Sequence, residues 1–498
     1  MGIQYILGKP GTGKTTLCHR EIAEKHHSES EGALILIVPE QFSFASEKAL
    51  IAATGDRGFS RAQVLSFRRL GYYVFGKTGG IDKKVLEDSG KHMLLRRLVG
   101  QLKPQLAYFK SSWEKQGFLD ALASSITEFY QYGIEPDELL ERAAAADSTS
   151  LQLKLADLHM IYSAFEEYLE KEYISADALL DILAEKIPRA DFLRGAQIWV
   201  DGFKSFTPQE GKVLRALISV ATSVKFAFCV DGAEFDQLSK FDAFYDAKSS
   251  MEQIDRIAAE LGTKKEKPIV LDKLWRHKNA ADIGFLCANY LGFSAEIYPE
   301  RPKNIRIFAA ANIFGEIDAA AKAITMLTRD RGYRYGDIGV VAADLGRYEK
   351  FIPAVFSQYA IPVFLDARRG ILGHPSAQFI FAALEVIATN WQYEAVFAML
   401  RLASWQMDRH EIDLLENYVL AYNIRGRTWR DDFVWGPEDG LEEVNRIRAA
   451  VVGFMEPLQA INSPRAKYDI TEIATRLYNF LEAIGLPAAL ENWMADAR

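Results

Sequence analysis

Eight residues near the start of the chain constrain it most. Gly8-Lys9-Pro10-Gly11-Thr12-Gly13-Lys14-Thr15 fills the pattern G-x-x-x-x-G-K-[ST] completely. Residues 3–7 before it read as a short buried strand, and a helix is predicted from about Lys14. Strand, glycine-rich turn and helix N-terminus in that order make a cradle for phosphate. The glycines let backbone N–H groups approach phosphate oxygens, and the helix end adds partial positive charge. In such a loop Lys14 reaches the β and γ phosphates and the Thr15 hydroxyl ligates magnesium, with Gly8, Gly11, Thr12, Gly13 and Thr16 completing the cradle. The expected cofactors are ATP and Mg2+. The plainer reading, a glycine-rich turn with an incidental lysine, accounts for less of the pattern.

The rest of the chain tells what surrounds that loop. Residues 33–38 are a near-continuous apolar run between Gly32 and Pro39, as expected of a parallel strand covered on both faces. Gln63 to Phe67 is a third strand candidate. From about 82 to 189 the pattern becomes helical, with Leu151, Leu155, Leu158, Ile161, Tyr162, Phe165 and Leu169 at three- and four-residue steps. Strand-like runs resume at Gln197–Val200 and Val224–Val230. A first α/β domain over 1–81 and 190–272, split by a helical insertion over 82–189, is predicted. Residues 231–270 are polar and carry little pattern. A second α/β unit is expected over 273–371, with strands at Ile305–Phe308, Ile338–Ala342 and Pro362–Leu365 and helices at Ile317–Leu327 and Tyr348–Tyr359. Residues 372–498 read as helical, the start of another insertion.

Composition narrows the function classes. The chain has 498 residues, 49% hydrophobic and 25% charged, enough for roughly two to four globular domains. Its longest aliphatic run, Leu34 to Val38, is far short of the ~20 residues that span a bilayer, and no charged leader precedes an apolar stretch. Cys18, Cys229 and Cys287 form neither a disulfide framework nor a zinc pair. A cytoplasmic protein without membrane contact is expected. The net charge of −8 disfavours a globally basic nucleic-acid binder but leaves room for a local groove.

A phosphate loop of this kind needs an acid on the metal side. Asp201, at the end of Ile198-Trp199-Val200, is the candidate. In hydrolysing motors an acidic neighbour positions the attacking water, and here that place is taken by Gly202. Gln209 and Glu210 are the nearby residues that could substitute.

Several segments together resemble the AddB family, components of bacterial AddAB helicase–nucleases. They are GKPGTGKTT (8–16), LIVPEQFSF (36–44), AQVLSFRRLGYYVF (62–75), WVDGFKSFTPQE (199–210), and the block from RYGDIGVVAADLGRY (334–348) to HPSAQFI (374–380). Their order and spacing also fit, over essentially the whole chain. The resemblance implies an α/β fold of P-loop (RecA-like), superfamily 1 helicase-type domains with large helical insertions and a degenerate motor. It implies an AddA-like partner in a heterodimer, and scanning of single-stranded DNA for the recombination hotspot Chi. On the matching positions, Gln41 and Ser43, then Ser66, Phe67, Arg69 and Tyr72, then Phe203 and Phe206, are the candidate DNA contacts. Aromatic rings can stack on unpaired bases and arginine can hold phosphates. Each has a plain alternative: Phe67, Phe203 and Phe206 as core, Arg69 as half of a solvated pair, Gln41 as a turn residue. The family's nuclease and its iron–sulfur cluster are expected beyond position 498, so the chain reads as an N-terminal piece. The later motifs that bring arginine to the nucleotide are expected to be missing with it.

Other chemistry is not supported. His410-Glu411 lacks the second histidine of a zinc-protease helix, Leu414 standing there. The competing functions are an active DNA-dependent ATPase or translocase and, more remotely, a small-molecule P-loop kinase.

Overall fold

The structure is a computed structural model. It describes residues 2–28, 32–55, 61–79, 83–113, 115, 117–230, 242–289, 296–366, 370–403, 407–459, 461 and 468–496. Part of the polar stretch 231–270, namely 231–241, lies outside the described residues. The chain forms two compact units, Met1–Ile307 and Phe308–Arg498.

The first unit is built on one parallel sheet. Its strands are β1 (Gly2–Gly8), β2 (Leu34–Ile37), β3 (Ala62–Leu65), and, beyond the helical block, β6 (Gln197–Val200), β7 (Ser223–Cys229), β8 (Lys264–Lys265) and β9 (Ile269–Leu271). Strands β4 (Lys84–Leu86) and β5 (Tyr173–Ser175) form a separate pair. The order across the large sheet is β3-β2-β6-β7-β1, with β8 and β9 both against β1. Leu34 to Ile37 are all at or below 1% exposure, as the continuous apolar run requires when helices cover both faces. β2 pairs with β6 in register Leu34 with Gln197 through Ile37 with Val200, so the block between them leaves and re-enters the same sheet. Every strand points the same way, and the loops at the carboxyl ends of β1, β2, β3, β6 and β7 therefore gather along one edge.

Three helices matter for that edge: α1 (Lys14–His26), α2 (Ser43–Thr54) and α3 (Phe67–Thr78). The helical block has its own core of Leu95, Ile126, Ile161, Tyr162 and Phe165, to which the long helix Thr149–Glu172 contributes most. Leu151, at the head of its predicted apolar stripe, is instead 45% exposed. The buried Lys91 ammonium, 2.5 Å from Asp177, joins the block to the segment that leads back to the sheet.

In the second unit a helical core of Phe379, Trp391, Phe397, Trp429 and Phe480 fills the region after 372. The helices Ile313–Arg331 and Ile352–Gln358 form where the sequence suggests. The three predicted strands do not form: Ile305–Phe308, which straddles the boundary between the units, and Ile338–Ala342 and Pro362–Leu365 carry no ladder. Ile307, Val341 and Phe364 are 94%, 94% and 90% exposed. Apolar runs mark chain that can be buried between neighbours, but a strand exists only once a neighbour supplies its hydrogen bonds.

Candidate nucleotide site and adjoining cleft

β1 stops at Gly8 because its backbone must pass close to its neighbours. A β-carbon there would lie 2.5 Å from Thr12 Oγ1 and 2.6 Å from the Leu271 carbonyl oxygen. Gly11 and Gly13 turn the loop at φ 86° and 93°, a region that side chains disfavour, and deliver the chain into α1. Thr12, 3% exposed, donates its hydroxyl to the Lys9 carbonyl at 2.9 Å. Lys14 folds back over the loop and donates to the carbonyls of Gly8 and Lys9 at 2.8 and 3.0 Å. Burial lowers the Lys14 pKa, Cys229 and Asp201 oppose that shift, and nearby Arg276 adds to it. Thr15 and Thr16 are exposed at the start of α1.

Asp201 directly follows β6 and is 6% exposed, while its backbone N–H is held by the Ile37 carbonyl at 3.0 Å. Among the described residues no group donates a hydrogen bond to its carboxylate. Its field reaches Lys14, Cys18, His19 and Cys229. A buried carboxylate that lacks donors suits a cation. The residues present therefore fit a nucleotide with its magnesium: glycines shaped for close approach, a lysine, a helix N-terminus, an exposed Thr15 hydroxyl and a buried acid nearby. No described group of three or more His, Cys, Asp or Glu could hold a metal by itself, so the ion would come with the phosphates. The three cysteines are free thiols.

The residues considered as stand-ins for the missing glutamate are engaged elsewhere. Gln209 Nε2 donates to the Asp177 carbonyl and to Asp181, both at 2.7 Å. Glu210 closes the N-terminal capping box of the helix Pro208–Val220 by accepting from the Thr207 N–H at 2.8 Å.

The segment that covers the loop is not legible in the sequence as part of the site. After β9 the chain crosses the loop: the Arg276 N–H donates to the Gly11 carbonyl at 3.2 Å. A β-carbon on Gly13 would lie 3.8 Å from the Trp275 ring. Trp275 is 52% exposed, with the Lys273 ammonium 3.8 Å from its centroid. An arginine and an indole thus lie at the phosphate loop, although the arginine-bearing motifs are expected to be absent. The one local signal is the cluster Lys273, Trp275, Arg276 and His277 in a polar stretch.

Next to this site, at the ends of β2, β3 and β6, lies a cavity of about 540 Å3. The structure brings Ser66, Phe67, Tyr72 and Phe203 to its wall, but not Gln41, Ser43, Arg69 or Phe206. Ser66 is the N-cap of α3, accepting from the Arg69 N–H at 3.2 Å and donating to Glu40. Phe67 and Phe206, 6% and 8% exposed, pack with half-buried Phe203 at centroid distances of 5.3 Å (Phe67 to Phe203) and 5.2 Å (Phe203 to Phe206). For those two rings the core alternative is the one observed. Tyr72 is 47% exposed, with the Arg68 guanidinium 5.8 Å from its ring centroid. Gln41 is exposed, and Ser43 Oγ donates to the Glu40 carbonyl at 2.8 Å. Acids dominate the lining: Glu40, Glu87, Asp88, Asp177 and Glu210 against Arg68.

Residues 5–286 match the family described as "ADDB, N-terminal". An ATP-dependent helicase/deoxyribonuclease subunit of Clostridium tetani is 37% identical over 99% of this chain and 45% of its own length. Proteins of the same description from Acetivibrio thermocellus and Clostridium botulinum are each 36% identical, over 99% and 100% of this chain and 44% and 45% of their own lengths. The chain thus spans less than half the length of these relatives. No described helix is long and apolar enough to cross a membrane. With a family profile matching more than half of its residues, the chain belongs to the AddB family.

Proposed function

We propose that this chain is the helicase-like part of a subunit that processes DNA double-strand breaks, binding ATP with Mg2+ and scanning single-stranded DNA for Chi, beside an AddA-like partner. The observation that carries the nucleotide reading is Asp201, a buried carboxylate without donors beside the glycine loop and Lys14. Lys14 and the loop N–H groups would hold the phosphates, and Thr15 and Asp201 the metal side. Bound magnesium would neutralise phosphate charge. With Gly202 after Asp201, the two residues considered as substitutes, Gln209 and Glu210, are tied into other contacts. ATP binding then serves conformation rather than rapid stepping, and the motor is degenerate. The first unit, a parallel sheet behind a glycine-rich loop, reads as a superfamily 1, RecA-like domain. The deoxyribonuclease activity in the relatives' name is assigned to the part of those proteins that this chain does not span, as is the iron–sulfur cluster.

In the cleft, Tyr72 would stack on an unpaired base, with Phe203 and the edge of Phe67 behind it. The acidic lining suits bases, which carry donors, better than phosphates. The test is ATP turnover with and without single-stranded DNA, alongside binding of a nucleotide analogue. Analogue binding without DNA-stimulated turnover is expected. Stimulated turnover of about 1–100 per second would instead establish an active translocase.

A further inference from the structure

α3 begins at the cleft, and a second cavity lies at its other end. It measures about 440 Å3 and is lined by Lys77, Thr78, Lys186, Arg189, Asp191 and Phe192. We propose that this cavity grips the phosphodiester backbone of the same single strand whose bases enter the cleft, which rests on the DNA reading given above.

The cavity is a concentration of positive charge in a chain of net charge −8. Lys77 is fixed without being neutralised. Its ammonium lies 4.6 Å from the ring centroids of both Tyr73 and Phe192, which meet edge to face at 5.1 Å. Two aromatic faces orient an ammonium and leave its full charge available. Arg189 has neither an ion pair nor a hydrogen-bond partner among the described residues. Lys186 donates to the Gly79 carbonyl at 3.2 Å. The acid in the lining, Asp191, lies 3.4 Å from the Arg194 guanidinium, so its charge is already offset.

The same two helices contribute to the lining of both cavities. Ser66, Phe67 and Tyr72 of the first cavity and Lys77 and Thr78 of the second lie on one helix and its cap. The helix Leu179–Lys186 packs along α3, and its Leu179 and Leu180 line the first cavity while Lys186 lines the second. At ~1.5 Å per helical residue, Tyr72 and Lys77 are separated by roughly 8 Å along the axis, a span of a few nucleotides at most. An aromatic, acid-lined cleft followed by a basic cavity divides the work as a polyanion requires. Bases go where rings can stack and phosphates go where cations keep their charge.

The experiment measures affinity for an oligothymidylate of about 20 nucleotides between roughly 50 and 200 mM salt, for wild type, Lys77→Gln/Arg189→Gln, Arg189→Gln alone and Tyr72→Ala. Each lost contact to a single strand should reduce the slope of log K against log salt by about 0.7, so the double variant should lose about 1.4 and Arg189→Gln about half of that. Tyr72→Ala should weaken binding with the slope unchanged. A wild-type slope in both basic-cavity variants, with binding intact, overturns the proposal and leaves the cleft reading standing. Reduced slopes with no effect of Tyr72→Ala overturn the cleft reading and keep the phosphate site. Free phosphate is distinguished by competition: if inorganic phosphate at the same ionic strength displaces the oligonucleotide from wild type and the double variant equally, as the phosphodiester assignment requires, it is no specific ligand. Displacement confined to wild type would make the cavity a free-anion site and overturn the proposal.

Discussion

Gly202 turns with φ at 85°, and a β-carbon placed on it would lie 3.3 Å from Cδ of Pro39. The residue after the metal-side aspartate is thus held in a backbone conformation that disfavours any side chain, against a ring that follows β2. The glycine here is more than a side-chain deletion, because the backbone at this position adopts a conformation that suits glycine. Gly202→Glu should cost about 1–2 kcal/mol of stability and install no ATP turnover. Denaturant melts and a turnover assay on the same preparation check this. A variant as stable as wild type that hydrolyses ATP on adding single-stranded DNA would show that the backbone there adapts and that only the carboxylate is missing.

Phe67 and Tyr72 look alike in the sequence, two aromatics five residues apart in one helix, and the structure separates them. Phe67 is 6% exposed in a cluster with Phe203, and Tyr72 is 47% exposed at the cleft. Phe67→Ala should destabilise the fold by about 3–5 kcal/mol, the cost of emptying a core aromatic site. Tyr72→Ala should leave the melting temperature nearly unchanged and weaken single-stranded DNA binding by about 1–3 kcal/mol, or roughly 5- to 150-fold. Thermal melts and anisotropy titrations read the two effects apart. Equal loss of stability in both variants would return Tyr72 to the core.

That pair also shows what local sequence can and cannot convey. The glycine loop, the strands on either side of it and the Asp201 terminus follow from short patterns, because each is set by neighbours in the chain. Burial of Phe67 depends on Phe203, 136 positions away, and the cover over Gly11 depends on Arg276. Such contacts leave only a faint local trace. The apolar runs at Ile338–Ala342 and Pro362–Leu365 are the opposite failure. Their composition predicts burial in a sheet, but composition does not supply the pairing strand.

Acid should loosen the segment that covers the phosphate loop. Asp282, in the first turn of the helix Ala281–Asn289, accepts from the N–H groups of Lys303 and Asn304 at 2.8 and 2.7 Å and from the Asn304 amide at 2.8 Å. It also accepts from the Ile283 N–H at 3.0 Å. These donors, the Asn304 amide foremost, hold its pKa down at about 2. The same helix meets the loop, since the Lys9 ammonium donates to the Ala288 carbonyl at 3.2 Å. An aspartate in unfolded chain titrates near 3.9. Because the folded value is the lower one, the stabilisation is complete above about pH 4 and disappears as pH falls towards 2. Asp282→Asn keeps the shape and removes this titration. The difference in melting temperature between wild type and Asp282→Asn should therefore be constant at neutral pH and shrink between about pH 4 and 2. Hydrogen exchange should show residues 273–289 opening first in that window, because their anchor is the group being protonated. A difference that stays constant down to pH 2 would mean that the Asp282 hydrogen bonds do not hold the loop's cover in place.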